Sequence, residues 1–152
     1  MRFKSSVLGC TIALAIAVAG SAARADDAIG QVKKASGMVR VVHQDGKTDP
    51  VKVGDHVRQS DVIKTDKASS VGITFLDNSM MSLGPSSELA LTEFSFNSTT
   101  REGKFNTQLN RGTLRVKSGQ IVQQTPEAMK IRTPAALLGV RGTEFVVDAG
   151  QG

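Results

Sequence analysis

The sequence contains no tryptophan and no tyrosine, and its single cysteine, Cys10, lies near the start of the chain. Sugar-binding surfaces and single-stranded nucleic-acid platforms depend on exposed aromatic faces, so the composition argues against both kinds of site. One cysteine cannot form an intramolecular disulfide, and a thiolate metal site would need several. Cys10 itself lies in a short apolar run and is interpreted as a small apolar residue.

The first 25 residues have the layout of a cleavable signal peptide. Arg2 and Lys4 form a basic start, an apolar run follows over residues 7–20, and Ala23-Arg24-Ala25 has the small-x-small pattern of a cleavage site. The apolar run is shorter than the roughly 20 residues of a membrane span. We therefore predict cleavage after Ala25, a periplasmic or secreted location, and no stable membrane span after cleavage. An uncleaved N-terminal anchor is the alternative.

Residues 26–152 are expected to form one small domain with little net charge. The full sequence has 19 Lys and Arg against 14 Asp and Glu, a net charge of +5. Three of the cations, Arg2, Lys4 and Arg24, lie in the predicted signal peptide, so 16 cations against 14 anions leave +2. Such a small excess does not favour nucleic acid as a partner.

Short alternating runs of apolar and polar residues, separated by turn residues, recur through this domain. In residues 70–75, for example, Val71, Ile73 and Phe75 fall on one face, as in a half-buried strand. Roughly ten such runs at short spacing predict an all-β fold. The expected form is a single compact domain of many short strands, arranged as a sandwich, a roll or an irregular solenoid.

Three local predictions concern the second half of the chain. Residues 105–109 and 113–117 are joined by Asn-Arg-Gly, which favours a hairpin between two strands. Residues 120–124 are predicted to form a further strand. Residues 135–138 follow Pro134, and proline at a first helical position favours a helical turn there.

The order of these segments resembles the FecR domain family, the periplasmic domain named after the ferric-citrate-type transmembrane signal transducer. The resemblance covers most of residues 37–147. It is carried by VGD at 53–55, DVIKT at 61–65, SVGITFLDNS at 70–79, LGPSSEL at 83–89, RGTL at 111–114 and TPAALLGVRGTEF at 133–145.

The resemblance implies an all-β domain outside the cytoplasm that takes part in contacts, sensing or signal transduction. The founding transducers carry a cytoplasmic anti-sigma segment and a transmembrane helix before this domain. Here the predicted signal peptide precedes the domain directly. We therefore expect a stand-alone secreted FecR-domain protein, to which sigma-factor regulation does not carry over.

Arg141 is the most distinctive candidate for a binding residue. It lies between Gly139 and Gly142, which permit a tight backbone corner. An arginine fork can bind a carboxylate or phosphate of a partner through two parallel hydrogen bonds. The alternative is an internal structural role, in which Arg141 pairs with Glu144, Asp148 or Asp77.

A basic face is the second candidate for partner binding. Alternation along the strands directs Arg115 and Lys117 outward, and Lys130 and Arg132 flank Ile131 in the same way. If these strands are neighbours, the side chains form a positive patch for an envelope protein or an anionic envelope polymer. The alternative is an ordinary solvated strand face. The predicted patch consists of Arg111, Arg115, Lys117, Lys130 and Arg132.

A carboxylate pair for glycoside hydrolysis is the enzymatic alternative, and it requires two acids a defined distance apart across a cleft. The hypothesis predicts a cleft that holds two of Asp77, Glu88 and Glu93, although Asp77, like Asp55, is also explained as a residue of a turn. The full set of candidate acids is Asp55, Asp61, Asp77, Glu88 and Glu93.

No nucleophile motif or phosphate loop is present in the sequence. The two histidines, His43 and His56, match no metal-binding spacing and are expected to be solvent-exposed.

These patterns favour a non-enzymatic extracytoplasmic module that binds or senses a protein or an envelope component. They predict no catalytic residues, no metal and no cofactor, and they leave the oligomeric state open. A carboxylate-based envelope hydrolase and a passive scaffold of an envelope complex are the alternatives.

Overall fold

The computed structural model describes residues 27–151. The predicted signal peptide, residues 1–25, lies outside these residues. In the described part of the chain, no helix is both long enough and apolar enough to cross a bilayer. The elements are β1 Ala28–Ser36, β2 Val39–Val42, β3 Thr48–Pro50, β4 His56–Arg58, β5 Val62–Thr65, β6 Ser70–Phe75, β7 Met80–Leu83, β8 Glu88–Phe96, β9 Gly103–Arg111, β10 Thr113–Lys117, α1 Gln120–Gln124, β11 Met129–Arg132, β12 Leu137–Gly139 and β13 Glu144–Asp148.

The strands form two sheets whose inward faces share one apolar core, so the predicted all-β fold is confirmed as a sandwich. The first sheet has six strands in the order β13-β10-β7-β6-β1-β4. The second has seven in the order β12-β11-β9-β8-β5-β2-β3. All neighbours are antiparallel except β9 and β11, which run parallel. The chain moves repeatedly between the sheets, so most strand neighbours are distant in sequence.

Three phenylalanines join the two sheets at the centre of the core. Phe75 of β6 belongs to the first sheet, and Phe94 and Phe105 belong to β8 and β9 of the second. The ring of Phe105 meets those of Phe75 and Phe94 edge-on, with centroids 4.6 Å and 4.9 Å away. Edge-to-face pairs add roughly 0.5–1.5 kcal/mol beyond the burial of their area. This cluster therefore helps to fix how the sheets pack.

Local alternation predicted several strands correctly. The strands at 70–75, 80–83, 113–117 and 129–132 are confirmed as β6, β7, β10 and β11. β1 was not predicted, because Lys33 and Lys34 in its second half interrupt the alternation of apolar and polar residues. Residues 51–53 also alternate, as Val-Lys-Val, but they do not form a strand, since β3 ends before them at Pro50.

The predicted hairpin between residues 105–109 and 113–117 is wrong. β9 pairs with β8 and β11, whereas β10 pairs with β7 and β13. The chain crosses between the sheets at Gly112, which has a φ of +83° and lies against the backbone of Ser87. A side chain on Gly112 would collide with Ser87, so the glycine serves a crossing between sheets.

The predicted strand at 120–124 is also wrong, because these residues form helix α1. The preceding Gly119 packs against the turn between β6 and β7, where Asp77 accepts hydrogen bonds at the start of the helix. The carbonyl of Asp77 accepts the N–H of Gln120 at 2.7 Å, and its Oδ2 accepts that of Ile121 at 3.4 Å. Asp77 therefore satisfies helix donors that α1 cannot satisfy itself.

The predicted helical turn at 135–138 is wrong as well, since these residues form part of the turn and the start of the second strand in a hairpin of β11 and β12. The amide of Thr133 donates to the carbonyl of Ala136 at 2.8 Å, and the Thr133 hydroxyl accepts the Ala136 N–H at 3.0 Å. Pro134 thus occupies the second position of a four-residue turn, which its fixed φ favours.

Candidate functional site

The six candidate cations lie at separate places on the molecule. Arg115 and Lys117 point outward from β10 in the first sheet, while Lys130 and Arg132 point outward from β11 in the second. Arg111 ends β9 and Arg141 lies between β12 and β13. The predicted common basic face of Arg111, Arg115, Lys117, Lys130 and Arg132 is therefore wrong, because β10 and β11 belong to opposite sheets.

Three of the six cations already pair with carboxylates. Arg111 lies 3.9 Å from Glu88, and Arg115 binds Glu144 through Nε at 2.7 Å and through a second, shorter bond from its Nη2. Arg141 pairs with Glu127. Its expected partners were Glu144, Asp148 and Asp77, so that prediction is wrong in the partner although an internal pair exists. A ligand at any of these three arginines competes with an existing ion pair.

The corner that carries Arg141 is anchored by its neighbours. Val140 is buried in the core, and its N–H donates to the Met129 carbonyl at 3.1 Å. Gly142 has a φ of +115°, which favours glycine, and its carbonyl accepts the Ser118 hydroxyl at 2.6 Å. The Arg141 side chain is 78% exposed, so the valine and Gly142 shape the corner while the arginine stays in solvent.

An open groove of about 730 Å³ lies beside this corner. Its walls come from α1, the segment after α1 and the segment just before β13, and they include the Arg141–Glu127 pair. Both charged side chains are more than 70% exposed, and exposed ion pairs contribute little to stability. The groove is lined by Ser118, Val122, Gln123, Thr125, Pro126, Glu127, Arg141, Gly142 and Thr143.

A second cleft, which we call the cationic cleft, lies on the outer face of the second sheet and contains Lys130 and Arg132. It encloses about 410 Å³ and is lined by Thr92, Asn106, Thr107, Gln108, Lys130, Arg132 and Leu137. Arg132 is in register with Gln108, and Lys130 is in register with Asn106. Among residues 27–151, no carboxylate lies within 4 Å of either cation.

The amides of the cationic cleft are held by neighbouring side chains. Asn106 Nδ2 donates to Glu93 Oε2 at 2.6 Å, and Gln108 Nε2 donates to Asn110 Oδ1 at 2.8 Å. Each bond uses one N–H of the amide group and helps to hold that side chain in position. The cleft therefore joins an ordered polar wall to two cations that have no carboxylate partner in the described part of the chain.

The network continues to Glu88. Asn110 Nδ2 donates to Glu88 Oε1 at 2.9 Å, and Lys64 Nζ lies 3.3 Å from Oε2. Burial raises the pKa of Glu88, but the hydrogen bonds from Asn110 and Lys64, with the charges of Lys64 and Arg111, outweigh burial and hold the pKa below its usual value. Glu88 thus pairs with Lys64 and Arg111, and among the described residues it lies within 4 Å of neither Lys130 nor Arg132.

The sequence model of the FecR protein family matches residues 61–152. The chain belongs to the FecR family. The match begins just before β5 and includes the strands that carry both clefts. No curated protein and no solved structure matches the chain.

FecR-family proteins are associated with extracytoplasmic sensing and signal transduction, and they are a regulatory family not known as enzymes. The carboxylates of this FecR domain that were candidates for a catalytic pair lie in separate places. Asp77 is fully buried. Glu88 and Glu93 lie five positions apart along β8. Because a strand advances roughly 3.3 Å per residue, these two acids are farther apart than the carboxylates of a glycoside hydrolase. The hypothesis of a carboxylate pair across a cleft is wrong for these three residues.

Asp55 of the FecR domain acts within a turn, as predicted, and Asp61 acts within another turn. Asp55 Oδ2 accepts the Lys52 N–H at 2.7 Å, and Asp61 Oδ2 accepts the Arg58 N–H at 2.8 Å. His43 was expected to be exposed, but its side chain is mostly buried and its Nδ1 lies 2.8 Å from Asp61 Oδ1. His56 is exposed, as expected. Within residues 27–151, no cluster of His, Cys, Asp and Glu is arranged to hold a metal ion.

Several residues at the two sites of this FecR domain could not be predicted from the sequence. Glu127 follows a proline in a loop and has no pattern that links it to Arg141. Asn106 and Gln108 alternate with buried residues of β9, which identifies an outward face but not its neighbours. The parallel pairing of β9 with β11 brings them to Lys130 and Arg132, and such long-range pairing is not visible in local alternation.

Proposed function

We propose that this FecR domain is a non-enzymatic extracytoplasmic module that binds an acidic protein segment or an anionic envelope polymer through the cationic cleft. The observation that carries the proposal is the pair Lys130 and Arg132, which line one cleft without a carboxylate partner among the described residues. The predicted signal peptide supports a periplasmic or secreted location.

The chemistry of the cleft suits a carboxylate or a phosphate. The planar guanidinium of Arg132 offers parallel N–H donors, and Lys130 offers a compact positive charge. Fixed amide side chains and the hydroxyl of Thr92 surround them. A ligand at this cleft displaces no internal ion pair, whereas a ligand at Arg111, Arg115 or Arg141 competes with Glu88, Glu144 or Glu127.

Binding of anionic probes by the double variant Lys130→Ala/Arg132→Ala tests the proposal. The probes are lipopolysaccharide micelles, which carry phosphate, and peptidoglycan and poly-glutamate, which carry carboxylate. We expect the wild type to bind at least one probe, with an affinity that falls as salt rises. The double variant should bind it at least about tenfold more weakly, since charge-assisted hydrogen bonds contribute roughly 1.5–3 kcal/mol each.

The matched control is Lys52→Ala/Lys67→Ala, which removes the same charge from two exposed residues outside the cleft. Equal losses in both double variants would mean that net charge alone attracts the probe, and they would overturn the assignment to the cleft. Absence of binding to all three probes would favour a passive scaffold instead. Thermal unfolding of each variant separates lost binding from lost folding.

A further inference from the structure

Residues 134–139, which we call the apolar edge, form a run of six exposed residues with no polar side chain. The run is Pro, Ala, Ala, Leu, Leu and Gly, and Leu137 and Leu138 keep 56% and 36% of their surface exposed. Consecutive exposed apolar residues are unusual on a soluble domain unless a partner covers them. Such a run on an edge strand also favours pairing with another strand.

The backbone of the apolar edge has free hydrogen-bonding groups in a defined pattern. Within residues 27–151, β12 pairs only with β11, with Ile131 opposite Leu138. In an antiparallel pair of strands, directly opposed residues alternate between hydrogen-bonded and non-hydrogen-bonded pairs. Thr133 bonds to Ala136 and Val140 bonds to Met129, so the pair between them, Ile131 and Leu138, is also hydrogen-bonded. The N–H and C=O groups of Leu138 therefore face β11, while those of Leu137 and Gly139 face outward.

We propose that an extended acidic-apolar segment of another protein adds to β12 as a further strand of the second sheet. This inference rests on the proposed function, because its acidic residue would bind Lys130 of the cationic cleft. Lys130 lies opposite Gly139, which has no side chain to cover it. A glutamate placed opposite Gly139 can thus extend across the glycine to the lysine, over two strand spacings of about 4.8 Å each.

The register defines the recognised segment. The acidic residue lies opposite Gly139, the next residue lies opposite Leu138 on the other face, and the one after lies opposite Leu137. Cross-strand apolar pairs stabilise a sheet by roughly 0.2–1 kcal/mol, so apolar residues are favoured at the last two positions. The segment is therefore an acidic residue followed or preceded by two apolar residues, depending on strand direction.

Charge disfavours a second copy of this chain as the occupant. Pairing of two β12 strands would bring Lys130 and Arg132 of one copy towards the same cations of the other. No carboxylate of residues 27–151 lies within 4 Å of these cations to offset the repulsion. A strand that carries a carboxylate is complementary instead.

Two substitutions at Gly139 test whether its outward-facing backbone N–H binds the added strand. Gly139→Pro removes the outward N–H but keeps the bonds to β11, and a Cβ at Gly139 meets no atom within 4 Å. Gly139→Ala adds a similar Cβ and retains the N–H. The probe is an array of short peptides whose three central positions take every combination of Glu, Val, Lys and Ser.

We expect the wild type to prefer peptides with Glu beside two Val residues. Gly139→Ala should keep this preference, because a Cβ at this position meets no atom within 4 Å and so does not cover Lys130 as a larger side chain would. Gly139→Pro should bind them at least about tenfold more weakly, because strand addition depends on main-chain hydrogen bonds. Leu137→Thr should also weaken binding, since threonine keeps the strand but removes apolar surface. Thermal unfolding of the proline variant establishes that it is folded.

Equal peptide binding by Gly139→Pro and Gly139→Ala would overturn strand addition, as would absence of peptide binding or a preference for Lys peptides. The proposed function would survive those results if Lys130→Ala/Arg132→Ala still lost the anionic probes. Self-association of the wild type that Gly139→Pro abolishes would assign the edge to a second copy and overturn the proposed occupant. Analytical ultracentrifugation measures that outcome.

Discussion

At the scale of single residues, two buried threonines show how the same side chain can stabilise or destabilise the core. Thr107 in β9 is buried, and its hydroxyl has no hydrogen-bond partner among the described residues. Thr65 in β5 is equally buried, but its hydroxyl donates to the Gly84 carbonyl at 2.6 Å and accepts the Ser87 N–H at 2.9 Å. A buried polar atom without a partner retains its full desolvation cost.

Thr107→Val should therefore stabilise the domain. Valine has nearly the same shape and removes the unpaired hydroxyl, so we expect the free energy of unfolding to rise by about 1 kcal/mol. Urea unfolding followed by circular dichroism measures the change. Thr65→Val is the matched control, and it should destabilise the domain because the Ser87 N–H loses its acceptor. A loss of stability in Thr107→Val similar to that in Thr65→Val would contradict the prediction.

At the scale of elements, α1 depends on a turn that is far away in sequence. Asp77 Oδ1 accepts the Ser79 N–H at 3.0 Å, its Oδ2 accepts the Ser79 hydroxyl at 2.6 Å, and the Ser79 hydroxyl accepts the Gly119 N–H at 3.0 Å. Asp77 and Ser79 are fully buried. The turn between β6 and β7 thus supplies the hydrogen-bond partners that begin the helix.

Gly119→Ala should disrupt this junction. A Cβ on Gly119 would collide with the backbone of residues 77–79, which cannot yield as a flexible side chain could. We expect a loss of about 3 kcal/mol in the free energy of unfolding, at the upper end for overpacking. Gly139→Ala is the control, because a Cβ there meets open space. Equal denaturation midpoints for the two variants would show that the junction tolerates a side chain.

The same elements show what the sequence could predict. β6 and β10 were predicted because alternation and turn residues act locally, and the family motif indicated the fold as a whole. α1 was predicted as a strand because its start is set by Asp77, and β12 as a helical turn because its conformation is set by pairing with β11. The candidate residues Lys130 and Arg132 were identified from alternation, but their cleft depends on the long-range β9–β11 pairing.

At the scale of the whole molecule, the two sheets separate the candidate cations into different surroundings. The first sheet holds Arg115 beside Glu144 of its edge strand β13. The second sheet holds Lys130 and Arg132 beside the apolar edge, next to its edge strand β12. Residues 140–143 carry the chain between these two edge strands. The sandwich thus places an unpaired cationic cleft and an open apolar edge side by side on one sheet.

The distant capping of α1 also constrains the order in which the chain folds. A five-residue helix is not stable alone, and its N-terminal hydrogen bonds reach residues 40 and 44 positions earlier. Closing so long a loop is slow, so we expect the helix to form after the transition state, whereas β6 and β7 are local and form early. In denaturant-jump kinetics, Ile121→Val should mainly accelerate unfolding, and Ile73→Val in β6 should mainly slow folding. The reverse result would mean that this helix nucleates the domain.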